Sequence, residues 1–278
     1  MTTVRISIAQ FSVEQANPTA NMATVAAYAA EAAARGSDLL VLPELWGHGY
    51  DLAHADAYAT HPHEGLFAET AALARRHGLF IYGSLLGRLH GRPANTAALF
   101  TPAGDVAATY SKVHLFRLMD EDQWLTPGEE AVLVDAPWGA TGLAICYDLR
   151  FPELFRRYAL EGAQVFLICA QWPQARLAHW RTLLRARAIE NQAIVVACNR
   201  CGETDGTRFG GHSVVLDAWG EPIVEAGTTP VLLTADVDVA TVSAVRRKIP
   251  VFEDRRPDVY QAGVRRVALK DEKGEATP

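Results

Sequence analysis

Short apolar, β-branched runs at residues 4–9, 39–42 and 79–87 alternate with Ala-rich helical stretches at 22–35 and 67–77. That alternation predicts an α/β protein. From 94 to 110 the strand-like runs follow one another with no helix between them, turning at Pro102-Ala103-Gly104-Asp105. Directly joined neighbours run antiparallel, so the sheet is expected to be mixed. The second half repeats strand then helix: 143–146 before 152–162, 165–170 before 176–191, and 194–198 before a polar loop. Closing strands are predicted at 212–216 and 231–235. No repeat of fixed period and no low-complexity linker interrupts this order, so residues 1–269 are expected to form one domain and 270–278 a disordered tail.

With 278 residues and 49% hydrophobic content, the chain can bury a full core. It contains no run of eighteen apolar residues, and its first ten residues read as a strand rather than a secretory signal. No membrane partner is expected. A formal charge of -6, from 26 basic and 32 acidic residues mixed along the chain, offers no basic stripe to a nucleic acid. Four cysteines are too few for a disulfide framework, and three lie in apolar runs, which fits a reducing cytoplasm.

The chemistry centres on one of those cysteines. Thr141-Gly142-Leu143-Ala144-Ile145-Cys146 ends a buried strand, and Tyr147-Asp148-Leu149-Arg150-Phe151-Pro152-Glu153 turns into a helix with Pro152 in its first turn. A nucleophile at such a corner stands above the sheet edge, with the Tyr147 N–H aimed toward an oxyanion on the attacked carbon. Cys169 and Cys198 are flanked by apolar residues on both sides and read as core. Cys198-Asn199-Arg200-Cys201 has the spacing of a redox dithiol but precedes a polar loop instead of a helix. His61 and His63 flank a proline in a loop and read as solvated, so no metal is expected.

An ordinary thiol is only a few per cent ionised at neutral pH, and amide carbonyls are poor electrophiles, so a base and a cation are needed. Glu44, in Leu42-Pro43-Glu44-Leu45, and Lys112, in Tyr110-Ser111-Lys112-Val113-His114, stand at the ends of apolar strands. Taken singly, Glu44 could cap the turn after Pro43 and Lys112 could be a solvated loop charge. His114 shares a strand face with Lys112 and leaves open a Cys–His hydrolase.

Together the segments Leu42-Pro43-Glu44, Ser111-Lys112-Val113-His114-Leu115-Phe116 and Ile145-Cys146-Tyr147-Asp148-Leu149-Arg150-Phe151-Pro152-Glu153 resemble the nitrilase superfamily of carbon-nitrogen hydrolases, over residues 5–251. The resemblance implies a Glu44, Lys112 and Cys146 catalytic set, with a second glutamate at Glu121, or at its neighbours Asp120 or Asp122 if the register slips by one. Residues 183–192 and Gly211-His212-Ser213 resemble the family's scaffold. The implied fold is an α-β-β-α sandwich of two mixed sheets with outer helices, usually paired as homodimers. On the helix after Arg176, Leu177, Trp180, Leu184 and Ala188 share a face suited either to the sheet or to another subunit.

The implied reaction, needing no cofactor, is hydrolysis of a small linear amide through a thioester. Leu42-Pro43-Glu44-Leu45-Trp46, Gly49-Tyr50 and Phe116-Arg117-Leu118-Met119-Asp120-Glu121 point to the bacterial omega-amidase branch, which acts on 2-oxo acid monoamides such as 2-oxoglutaramate. Tyr50, Phe116 and Trp172 are candidate pocket walls. Arg176 is either the partner of the substrate's distant carboxylate or a solvated helix residue. A deaminated peptide amide, an N-carbamoyl compound or a nitrile would suit the same machinery, and a catalytically silent scaffold subunit is the reading of another class.

Overall fold

The computed structural model describes residues 3–265; the predicted tail at 270–278 lies outside them. Among the described residues, fourteen strands run in chain order: β1 Thr3–Gln10, β2 Leu39–Val41, β3 Phe80–Leu89, β4 Arg92–Phe100, β5 Val106–Ser111, β6 Leu133–Ala136, β7 Gly139–Ile145, β8 Val165–Ala170, β9 Ile194–Asn199, β10 Glu203–Thr204, β11 Thr207–Arg208, β12 Val214–Leu216, β13 Pro222–Glu225 and β14 Val231–Asp238. They build two six-stranded sheets, ordered β14-β1-β2-β3-β4-β5 and β13-β12-β9-β8-β7-β6, plus a β10-β11 ribbon. Both sheets are mixed. In the first, β1, β2 and β3 are parallel and the β3-β4-β5 meander is antiparallel. In the second, β7, β8 and β9 are parallel and the outer strands antiparallel.

The two-residue period of a strand decides the layers. Ile6, Ile8, Leu39, Val41, Ala97 and Leu99 point between the sheets, where they join Ile145, Leu167 and Val196 in one core. Their neighbours Ala9, Leu40, Leu42, Ala98 and Phe100 point outward onto helices Pro18–Ala34 and Gly65–His77. Helices Pro152–Leu160 and Leu177–Asn191 cover the other sheet, giving an α-β-β-α sandwich. Trp180, Leu184 and Ala188 are buried against that sheet, which answers the question of what their shared face meets.

The structure also departs from the sequence expectations. The first helix starts at Pro18, not at 22, because Asn17 caps it by accepting from the Ala20 N–H at 3.2 Å. Strands β6 and β13 and helix Thr241–Lys248 were not predicted. Both strands lie at sheet edges, where short segments carrying Asp135, or Pro222 and Glu225, hide the apolar signal.

Candidate active site

The C-terminal ends of the parallel strands from both sheets meet at one rim, the usual place for chemistry in α/β proteins. Cys146 leaves β7 there. Its φ of 46° lies in the left-handed region that side chains disfavour, and a short 3₁₀ turn, Cys146–Arg150, follows. Asp148, fully buried, holds this corner. One carboxylate oxygen accepts from the Ile145 N–H at 2.9 Å and from the Tyr110 hydroxyl at 2.8 Å. The other accepts from the His114 N–H at 3.1 Å and lies 2.8 Å from the His114 ring Nδ1. Asp148 thereby ties the corner to the segment that follows Lys112. Arg187 supports the same turn, donating twice to the Leu149 carbonyl at 3.1 and 2.7 Å.

Lys112 stands just past β5, whose exit needs a glycine nearby. The Gly128 N–H donates to the Lys112 carbonyl at 2.8 Å, and a Cβ on Gly128 would lie 1.9 Å from the Ser111 carbonyl oxygen. The Lys112 ammonium is completely buried and bridges two equally buried carboxylates, Glu44 at 2.7 Å and Glu121 at 2.6 Å. These contacts dispose of the capping reading of Glu44 and the solvated reading of Lys112. Asp120 and Asp122 are exposed, so Glu121 is the neighbour that turns inward. His114 stacks on Phe151 with centroids 3.6 Å apart and turns to Asp148.

All four carboxylate oxygens are engaged. Glu44 accepts from the Asn95 amide at 2.8 Å and from the Gln171 backbone N–H at 2.8 Å, while the Gln171 side chain donates to the Glu44 carbonyl at 2.7 Å. Glu121 accepts from the Tyr50 hydroxyl at 2.7 Å and from the Phe116 N–H at 2.7 Å. Burial works against the Lys112 charge, yet Glu121 and Glu44 together outweigh it and hold the amine well above the ordinary lysine range. Burial raises Glu121, opposed by Lys112. The Cys146 thiol is pushed well up by burial and by Glu44, with Lys112 pulling the other way. Cys146 therefore rests as a thiol, within the electrostatic reach of Glu44, Lys112 and Glu121.

Phe116 packs on Tyr147 with centroids 4.8 Å apart, and the Arg176 guanidinium lies 5.4 Å over the Phe116 ring. Arg176 lines a cavity of about 560 Å³ together with Leu118, Pro173 and Arg208. Trp172 is buried, and its indole N–H donates to the Arg176 carbonyl at 2.8 Å. His61 and His63 are exposed, and among the described residues no group of His, Cys, Asp and Glu is placed to hold a metal. Sequence reasoning missed Asn95, Gln171 and the role of Asp148. The available signal was the polar residue at the start or end of an apolar run, as in Asn95-Thr96-Ala97-Ala98-Leu99 and Cys169-Ala170-Gln171.

The fold and this rim define an α-β-β-α sandwich protein with a buried Glu–Lys–Glu cluster beside a strained cysteine. The chain belongs to the carbon-nitrogen hydrolase family, whose profile matches residues 5–247. It is 39% identical over 256 residues to the 2-oxoglutaramate amidase of Bacillus subtilis (strain 168), covering 92% of this chain and 98% of that one. To the omega-amidase NIT2 of Homo sapiens it is 30% identical over 270 residues, covering 94% and 98%. Among solved structures, XC1258 from Xanthomonas campestris, a CN-hydrolase superfamily protein with an arsenic adduct in its active site, superposes with a TM-score of 0.84 at 31% identity, covering 92% and 98%. A glutamate-to-glutamine mutant of the amidase from Nesterenkonia sp. AN1, carrying the acetamide moiety of fluoroacetamide on its active-site cysteine, superposes at 0.83 with 30% identity, covering 94% and 97%. No helix among the described residues is long and apolar enough to cross a membrane.

Proposed function

We propose that this chain is a cysteine-dependent amidase that cleaves the terminal amide of a 2-oxo acid monoamide, such as 2-oxoglutaramate, to the acid and ammonia. The observation that carries the chemistry is the Lys112 ammonium clamped between two buried carboxylates beside a raised thiol. Glu44 takes the thiol proton as Cys146 attacks the amide carbon, so no free thiolate has to persist in a buried site. The resulting oxyanion is met by Lys112 and the Tyr147 N–H. Glu44 passes its proton to the amide nitrogen, the C–N bond breaks, and ammonia leaves a thioester on Cys146. Glu44 then takes a proton from water, whose oxygen attacks the thioester; the acid departs and the thiol is restored. Glu121 positions Lys112 throughout, and Tyr50 and Phe116 in turn hold Glu121.

The relatives named 2-oxoglutaramate amidase support the substrate class. Arg176, over the Phe116 ring, is the guanidinium we assign to the substrate's distant carboxylate, with Tyr50, Phe116 and Trp172 as walls. We also read the enzyme as a cytoplasmic homodimer. Four free, buried cysteines support the reducing compartment, and exposed Leu160 and Ile189 on the outer helix layer support pairing.

The test is a panel of 2-oxoglutaramate, a deaminated peptide amide, an N-carbamoyl compound and a nitrile, assayed for ammonia and quenched for mass analysis. The 2-oxo acid monoamide is expected to give the highest kcat/KM and to leave its acyl group, the substrate less ammonia, on the Cys146 peptide. Turnover of any amide without acyl mass on that peptide overturns the thioester route. Removal of the guanidinium in Arg176→Ala is expected to lower kcat/KM for 2-oxoglutaramate about 10- to 100-fold, the scale of a charged hydrogen bond. A neutral amide of equal length should lose less than about threefold. Equal losses on both substrates remove Arg176 from the binding role.

A further inference from the structure

Arg200, within the Cys198-Asn199-Arg200-Cys201 segment that first suggested a dithiol, is 1% exposed. Buried guanidinium groups normally meet a carboxylate. Among the described residues, none lies within salt-bridge distance of this one. Its donors go to neutral oxygens instead: Gln171 Oε1 at 2.8 Å, the Val13 carbonyl at 2.9 Å, Thr204 Oγ1 at 2.9 Å and the Cys201 carbonyl at 3.3 Å. The Phe209 ring lies 4.1 Å from it. Four of the five N–H groups are thus spent, leaving no face for a substrate. Burial lowers Arg200 to about 10, so the group stays charged at neutral pH.

The Gln171 contact leads to the reacting groups. Gln171 accepts from Arg200 and, through its amide and its backbone N–H, donates to both ends of Glu44. From Arg200 inward the charges run positive, negative at Glu44, positive at Lys112, negative at Glu121. Without Arg200 the buried cluster would carry a net negative charge; with it the sum is zero. We infer that Arg200 is a positioning residue for the proposed amidase, acting through Gln171 to hold the Glu44 carboxylate in its orientation at the rim. The groups that face Glu44 are Lys112 past β5, Glu121 on its short helix, Cys146 past β7, Cys169 on β8 and Tyr50 in the turn after β2. Arg200, past β9, is the cation not already shared with a carboxylate.

This inference rests on Glu44 being the base, a reading tested separately by Glu44→Gln. If that variant turned over amide at the wild-type rate, the base assignment would fail whatever Arg200 does. With Glu44→Gln inactive, kcat and KM are measured for the wild type, Arg200→Met, Arg200→Lys and Gln171→Met, each checked for folding by circular dichroism. Arg200→Met and Gln171→Met should each lower kcat about tenfold, with KM within about threefold. Arg200→Lys, which keeps a cationic donor toward Gln171, should recover part of the kcat lost in Arg200→Met. A wild-type kcat in folded Arg200→Met overturns the positioning role. If Arg200→Met does not fold, an unchanged kcat in Gln171→Met overturns the relay on its own.

Discussion

Replacement of Cys146 by alanine is expected to leave a folded protein whose release of ammonia falls about 10⁵-fold or more, because no second nucleophile can open the covalent route. The change is small in volume and removes a neutral thiol, held up by burial and by Glu44, so little packing or charge balance is lost. Asp148 continues to pin the corner through Ile145, Tyr110 and His114. Serine at this position keeps an oxygen nucleophile but raises the proton-transfer demand on Glu44, and it should be nearly as inactive. Ammonia release and circular dichroism on the purified variants decide the matter. Wild-type turnover in folded Cys146→Ala would remove this residue from the mechanism.

Lys112→Met is expected to lose both activity and stability, and for separable reasons. Turnover should fall about 100- to 1,000-fold from loss of an oxyanion donor alone. Stability should fall by about 3–5 kcal/mol, since Glu44 and Glu121 would face each other in the interior without the cation between them. In a chain of this size that corresponds to a drop in Tm of order 10 °C. Pairing Lys112→Met with Glu121→Gln removes one of the unpaired charges and should restore much of the Tm without restoring turnover. Thermal unfolding and ammonia release on the single and double variants separate the two effects. A double variant that recovered activity together with Tm would mean that Lys112 acts only as a structural counterion.

The residues that bear the proposed chemistry were legible because each interrupts an apolar strand end in a recognisable local phrase. Glu44 follows Leu42-Pro43, Lys112 follows Tyr110-Ser111, and Cys146 follows Leu143-Ala144-Ile145. Glu121 was legible only to within one residue, since Asp120 and Asp122 carry the same charge. The backbone settles it: Asp120, at φ 56°, ends one turn and starts the next, and this sends Glu121 inward. The sequence allows Arg176 either solvent or pocket, and its place over Phe116 comes from the turn Gln174–Arg176 that precedes the helix. Asn95, Gln171 and Arg200 were missed because a polar residue at the end of an apolar run signals burial without saying which distant group it will meet.

By itself the sequence determined the alternation of strand and helix, the order of the groups proposed to react, and the family. Such information is carried by neighbours within a few residues, where periodicity and turn chemistry act. Only the tertiary structure decided that a glutamate from one sheet would be held by a glutamine from the other, and that Lys112 would sit equally between two acids. Those contacts join residues 9 to 127 positions apart. They depend on how strand registers and the spacing of two sheets bring strand ends together, which no short window of the chain encodes.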